Sequence, residues 1–373
     1  MPPDFKDPLA EHRKAVLIGL QLPNRNDLEL LLDELRLLLA NLSVETVAVS
    51  VQKKDRPDPA YLIGSGKAAD LKVLAQASGA DLIVSNDMLT PVQLANLRKQ
   101  TECEIWDRAL VITKIFEKRA VTAEAKLQVE LARCRYEIPH LRGLGKQMSN
   151  AGAGIGTRGP GETEFERHRR KLQQRVVDIS RKLKEMQKRR ESQRKQRRRN
   201  GIPTVALVGY TNSGKTTLLQ RLCGDKNLYA ADQLFATLDT AVRSVRTPNG
   251  RRILFADTVG FIRELPPQLI AAFRTTLEEA AQADMLLIVL DINDPDIVAT
   301  YDVIQMTLRD IGAAELPRVI VLNKIDRSGI FLCERVKGLF RGENIPVCAL
   351  SAVTGAGLDD LWKVFDWLSL RRD

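Results

Sequence analysis

The chain has 373 residues, 44% apolar and 28% charged, which suits two or three soluble globular domains. No apolar run reaches the ~18 residues of a membrane span, and Met1 to Lys6 lacks the apolar core and small-residue cleavage site of a secretory signal. The 57 Lys and Arg exceed the 47 Asp and Glu, giving +10, and the five scattered cysteines form no C-x-x-C pair, which argues for reduced thiols in a cytoplasmic compartment and against a zinc site.

Residues 1–117 read as a small α/β domain. Apolar runs at Ala15–Leu20, Val44–Val51, Asp81–Val84 and Glu104–Asp107 predict strands, and helical patterns fall at Leu28–Leu39, Ala68–Gln76 and Pro91–Arg98. Gly64-Ser65-Gly66-Lys67 looks like half a phosphate loop, but it is too short for one and reads as a strand-to-helix turn.

Residues 118–200 have another texture. Ala120, Ala123, Leu127, Leu131 and Cys134 recur at steps of three and four, as do Phe165, Leu172, Val176, Ile179, Leu183 and Met186 with one step of seven. Both are coiled-coil seams. Seven glycines crowd Gly143–Gly161 between them, so the segment reads as an antiparallel helical hairpin with a long mobile tip, its first helix ended or kinked by Pro139 near Tyr136. Glu162–Arg199 holds 16 basic and 6 acidic residues, so this one segment carries the whole charge excess; the rest has 41 of each sign. Lys and Arg on a helix, with Phe165 the one aromatic nearby, suit phosphate contacts rather than base stacking and point to a polyanionic partner touching one place.

Residues 201–373 alternate strands and helices. Val205–Val208, Ile253–Ala256, Leu286–Leu290, Val319–Leu322 and Val347–Leu350 are short apolar runs, the pattern of a mostly parallel sheet covered on both faces. Trp362 and Trp367 read as core rather than site.

The motifs sit at the ends of these strands. Gly209-Tyr210-Thr211-Asn212-Ser213-Gly214-Lys215-Thr216 matches G-x-x-x-x-G-K-[ST] between a strand and a helix. Backbone N–H groups of such a loop wrap phosphate oxygens, Lys215 reaches the β- and γ-phosphates, the Thr216 hydroxyl ligates Mg2+ and Thr217 continues the helix N-terminus at the phosphates. Asp257-Thr258-Val259-Gly260 follows a strand. Asp257 can hold the metal through a water, and the Gly260 N–H can face the γ-phosphate. Asn323-Lys324-Ile325-Asp326 offers a carboxylate that accepts from guanine N1–H and the 2-amino group, which adenine lacks. Ser351-Ala352 supplies a backbone donor for the guanine O6, and Thr237 is the candidate threonine that closes on the metal. Phe261 stands where Ras-type switches carry a water-orienting glutamine, so slow intrinsic hydrolysis is expected. Arg263 reads as a solvated switch residue or an in-chain charge donor, and Asn212 as a turn residue or a ligand to K+.

The ordered set resembles the TrmE–Era–EngA–Septin–Obg type of GTPase. Upstream, Gly152-Ala153-Gly154-Ile155-Gly156-Thr157-Arg158-Gly159-Pro160-Gly161-Glu162 is similar to the glycine signature of the HflX family. Val129-Glu130-Leu131-Ala132, Arg135-Tyr136-Glu137-Ile138-Pro139, Tyr61–Lys67 and Phe235-Ala236-Thr237-Leu238-Asp239 carry the same resemblance. It implies an enzyme that hydrolyses GTP when stimulated by the ribosome, binds the large ribosomal subunit and splits stalled ribosomes. The hairpin tip and basic helix would make the ribosomal RNA contact, with the tip toward the peptidyl-transferase centre. An RNA-binding switch acting as a large-subunit assembly checkpoint is the alternative. A cytoplasmic monomer is expected. The family's Leu-Asp-Pro-Thr-Thr-Arg switch is Leu238-Asp239-Thr240-Ala241-Val242-Arg243 here, which touches the details of switch closure. Many members extend beyond the position of Asp373, so contacts made by that extension are not expected here.

Overall fold

The structure is a computed structural model. It describes residues 13–151, 160–199, 201–224, 241–264, 279–340 and 345–370, with 235, 266 and 269; side chains are excluded at 142–151, 160–164, 193–199, 241, 330–331 and 366–370. By Cα proximity the chain forms two compact units: Met1–Lys118 with Lys126–Leu183 and Pro266–Leu269, and Arg119–Ala125 with Lys184–Leu265 and Ile270–Asp373.

The first unit carries a four-stranded parallel sheet of β1 (Arg13–Gln21), β2 (Val44–Lys53), β3 (Leu82–Ser85) and β4 (Glu104–Asp107), in the order β2-β1-β3-β4. Its helices are α1 (Leu28–Asn41), α2 (Ser65–Ser78), α3 (Pro91–Thr101) and α4 (Arg108–Arg119). Gly64-Ser65-Gly66-Lys67 is the turn into α2. The sequence reading stopped short of α4. That helix follows β4 with no linker, and its start is fixed by the buried Asp107, whose carboxylate accepts from the Leu110 N–H at 2.9 Å and the Leu89 N–H at 3.2 Å.

Two long helices follow, α5 (Ala123–Ala151) and α6 (Pro160–Arg199). Leu131, Ile179 and Leu183 are buried together with Leu127 and Val176 against them, and Arg175 grips Glu130 through two bonds of 2.6 and 2.8 Å. The pairing is antiparallel, as the two seams required. Two details differ. Ala120 precedes α5 and Ala123 is exposed, while Ala125, Gln128, Val129 and Ala132 are buried, so α5 is covered over a wider face than a two-helix seam. Pro139 does not end the helix, which continues to Ala151. Next to it His140 Nδ1 meets the Tyr136 carbonyl at 2.6 Å, and the Tyr136 side chain is buried near Asp107. Tertiary anchoring thus outweighs the one missing N–H. The glycine signature falls largely on residues 152–159, outside the described residues. No described helix is long and apolar enough to cross a membrane.

In the second unit the sheet order is β10-β9-β8-β5-β7-β6. The strands are β5 (Thr204–Gly209), β6 (Ala241–Arg246), β7 (Arg252–Asp257), β8 (Met285–Asp291), β9 (Arg318–Asn323) and β10 (Val347–Ala349), all parallel except β6, which runs antiparallel to β7. Helices α7 (Lys215–Cys223), α8 (Ile297–Asp310), α9 (Ile330–Leu339) and α10 (Leu358–Leu370) accompany it. Leu286, Ile288 and Leu290 of β8 face one apolar cluster and Leu287 and Val289 the other, so the strand is buried on both faces. Trp362 packs edge-on against Phe365 in that second cluster; Trp367 lies outside the described side chains. The basic run is displayed on α6, where Arg167, Lys171, Lys182, Lys184, Lys188 and Arg189 are exposed.

Candidate nucleotide site

The C-terminal ends of β5, β7, β9 and β10 bring nearly all the sequence-marked residues to one edge of the sheet, the usual ligand position of a parallel fold. β5 ends in Gly209, and the loop turns through exposed Asn212 at φ 62° and Gly214 at φ 92° before α7 begins at Lys215. A Cβ at Gly214 would fall 2.2 Å from Asn323 Nδ2, and one at Gly209 would fall 2.2 Å from the Val289 carbonyl. Close approach therefore demands glycine at both places. The side chain of Ser213 is buried, and Thr217 is half-buried in the first turn of α7.

Lys215 folds back on the loop. Its Nζ donates to the Tyr210 carbonyl at 2.7 Å and the Gly209 carbonyl at 3.1 Å. Burial pushes its ammonium from 10.5 down to about 8, with Asp257 opposing and Lys324 adding to the shift. Bound phosphate favours the charged form, so above that pH nucleotide binding must take up a proton. GDP affinity is therefore expected to be level below pH 8 and to fall by up to about tenfold per pH unit above it. Calorimetry in two buffers of different ionisation enthalpy reads this uptake; constant affinity to about pH 9 contradicts it.

The Thr216 hydroxyl donates to Asp257 Oδ2 at 2.8 Å. A hydroxyl and a buried carboxylate, both hard oxygens beside the phosphate loop, are a donor set that suits Mg2+. Gly260 is pressed against the loop: a Cβ there would lie 2.9 Å from Thr211 Cα and 3.0 Å from Lys215 Nζ. The Phe261 ring, in place of a glutamine, is buried in the core cluster with Val208 and Ile288 and so is turned away from the site. Arg263 pairs with Asp296 at 3.7 Å. Thr237 lies outside the described residues.

At the base end, Asn323 acts between loops. Its Nδ2 donates to the Ser213 carbonyl at 2.9 Å, and its Oδ1 accepts from the Ala352 N–H at 3.0 Å. The Ser351 hydroxyl donates to Asp326 Oδ1 at 2.5 Å, and Asp326 is exposed, open to a base. Lys324, in the left-handed region at φ 68°, pairs with Asp291 at 2.9 Å. Three contributors escaped the sequence reading. Asp291 was marked only by its place at the end of an apolar strand. Asn293 donates to the Lys324 carbonyl at 3.2 Å, and Arg221 of α7 donates to the carbonyls of Ala352 and Val353; neither has a sequence signal.

Three family models match the chain: "GTP-binding GTPase N-terminal" over residues 29–117, "GTP-binding GTPase Middle Region" over 119–197 and "50S ribosome-binding GTPase" over 204–324. The GTPase HflX of Caldanaerobacter subterraneus subsp. tengcongensis is 45% identical over 87% of this chain and 75% of its own length. That of Escherichia coli strain K12 is 40% identical over 94% and 81%. Among solved structures, a crystal structure of SsGBP in complex with GDP matches with a TM-score of 0.52 and 26% identity, covering 96% of this chain and 99% of that one. With such identity over most of the chain, beside a sheet whose strand ends gather the phosphate loop, the Asp-x-x-Gly turn and the Asn-Lys-x-Asp loop, the chain belongs to the HflX family of GTPases, and it binds and hydrolyses GTP.

Proposed function

We propose that this GTPase works in the cytoplasm on the large ribosomal subunit, splitting or rescuing stalled ribosomes, with hydrolysis stimulated by the ribosome. The observation that carries the reading is the row of exposed lysines and arginines on α6, a rigid cationic face suited to RNA phosphates. The relatives' name and the description of the matched "50S ribosome-binding GTPase" model support it. The hairpin tip and this helix make the RNA contact, the protein acts as a monomer, and 1–117, 118–200 and 201–373 are its working parts.

In the site, Gly209, Asn212, Ser213, Gly214 and Thr217 belong to the phosphate cradle. Lys215 leaves its carbonyls for the β- and γ-phosphates. Thr216 would hold Mg2+ directly and Asp257 through water, with Thr237 as the third residue toward it, and the ion would screen the phosphate charge. The Gly260 N–H faces the γ-phosphate. Asp326 reads guanine, Ser351 and Ala352 line the base, Lys324 covers it, and Asn323 holds the two loops together. Asn212 takes K+, which stands in for an arginine finger. Replacing K+ by Na+ then slows turnover; an unchanged rate removes that role.

GTP-bound protein incubated with intact ribosomes and sedimented is expected to yield separated subunits, and purified large subunits are expected to raise the slow basal GTPase rate. Both effects weaken steeply with salt, as phosphate contacts require. Binding confined to free or immature subunits would instead favour an assembly checkpoint. A fast rate without ribosomes would contradict the stimulated mechanism.

A further inference from the structure

The phosphate loop and the turn after Asp257 are stitched together through one residue. The Phe261 N–H donates to the Gly209 carbonyl at 3.0 Å and the Thr211 N–H to the Phe261 carbonyl at 2.8 Å, forming an isolated parallel bridge between Tyr210 and Phe261. Beyond this bridge the Arg263 N–H donates to the Tyr210 hydroxyl at 2.8 Å. Tyr210 also offers its carbonyl to Lys215 Nζ at 2.7 Å, and its ring packs against the core cluster that holds Phe261. It therefore touches the phosphate-gripping lysine with its backbone and the Asp-x-x-Gly turn with its side chain. Gly260, the residue that this stitching positions, is in van der Waals contact with the same loop.

We propose that Tyr210 is a positioning residue for the triphosphate state. Its hydroxyl pins the backbone at Arg263, so that the Gly260 N–H stays aimed at the γ-phosphate end of the site. A glutamine at 261 would bring a polar side chain to this turn; with a phenylalanine turned into the core, the turn is held by its backbone bonds to the phosphate loop, by the Thr216–Asp257 bond at its start and, beyond Gly260, by the Tyr210 hydroxyl. GDP has no γ-phosphate, so the pin affects the triphosphate selectively. The inference rests on the reading that Gly260 faces the γ-phosphate.

Tyr210→Phe removes the hydroxyl and keeps the ring. Affinities for GDP and for a non-hydrolysable GTP analogue, with Mg2+, separate the roles. GDP affinity is expected to stay within about twofold of wild type while analogue affinity falls about fivefold, the worth of one neutral hydrogen bond. Equal weakening of both nucleotides means that the hydroxyl only supports the fold, and no change in either means that it supports nothing; both overturn the proposal. Gly260→Ala separates this failure from that of the underlying reading. If that variant keeps the wild-type analogue-to-GDP ratio, the γ-phosphate reading falls and Tyr210 with it. If it loses the ratio beside an unchanged Tyr210→Phe, only the pin falls.

Discussion

Asp326→Asn is expected to lower GTP affinity by about 10²–10⁴-fold and to confer binding of xanthosine triphosphate. In the proposed base contact the carboxylate accepts from two guanine donors, and each lost charge-assisted hydrogen bond is worth about 1.5–3 kcal/mol. An asparagine presents an amide N–H₂ that repels the guanine 2-amino group yet donates to the carbonyl at the same position of xanthine. The protein around it need not change, because the Ser351 hydroxyl that donates to Asp326 Oδ1 can donate equally to an amide oxygen. Competition binding with the two triphosphates measures the exchange, and unchanged GTP affinity would remove Asp326 from the base site.

Lys215→Ala is expected to abolish measurable GTP binding and turnover, again a loss of about 10² or more, since in the proposed site the ammonium makes charge-assisted contacts to two phosphates. The nucleotide-free protein tells whether the loss is specific. Burial of this ammonium lowers its pKa to about 8, so below that pH the charged lysine opposes folding rather than supporting it. The variant is therefore expected to be at least as stable as wild type at pH 7 in thermal unfolding without nucleotide. A variant that still hydrolyses GTP at a tenth of the normal rate would refute the assignment.

Much of this was legible in the chain. Apolar runs located nine of the ten described strands to within two residues, most cleanly where a strand such as β8 is buried on both faces and has no polar positions to blur its limits. The tenth, β6, was missed. The two valines of its Val242-Arg243-Ser244-Val245-Arg246 are three apart and pack against opposite clusters, so neither an apolar run nor an alternation marks it, and the Pro248-Asn249-Gly250 turn that folds it onto β7, with Gly250 at φ 79°, was the available signal. The described motif residues lie together at the strand ends. What sequence could not supply was the wiring between them. That Asn323 reaches the Ser213 carbonyl 110 residues away, or that Arg221 holds a loop beyond Ser351, depends on how helices dock, and no local pattern encodes it. Of the two outcomes expected at Pro139, an end to the helix is not seen, since α5 runs through it to Ala151.

Asn323 also bears on how a product escapes. Were the phosphate-gripping and base-reading loops independent, GDP could peel away from one and then from the other over two low barriers. A single buried amide bonded to both at 2.9 and 3.0 Å makes loosening either loop strain its counterpart, so departure is expected to be one concerted event. Residence time of the spent nucleotide is then governed from a position that touches neither the reacting phosphate nor the attacking water.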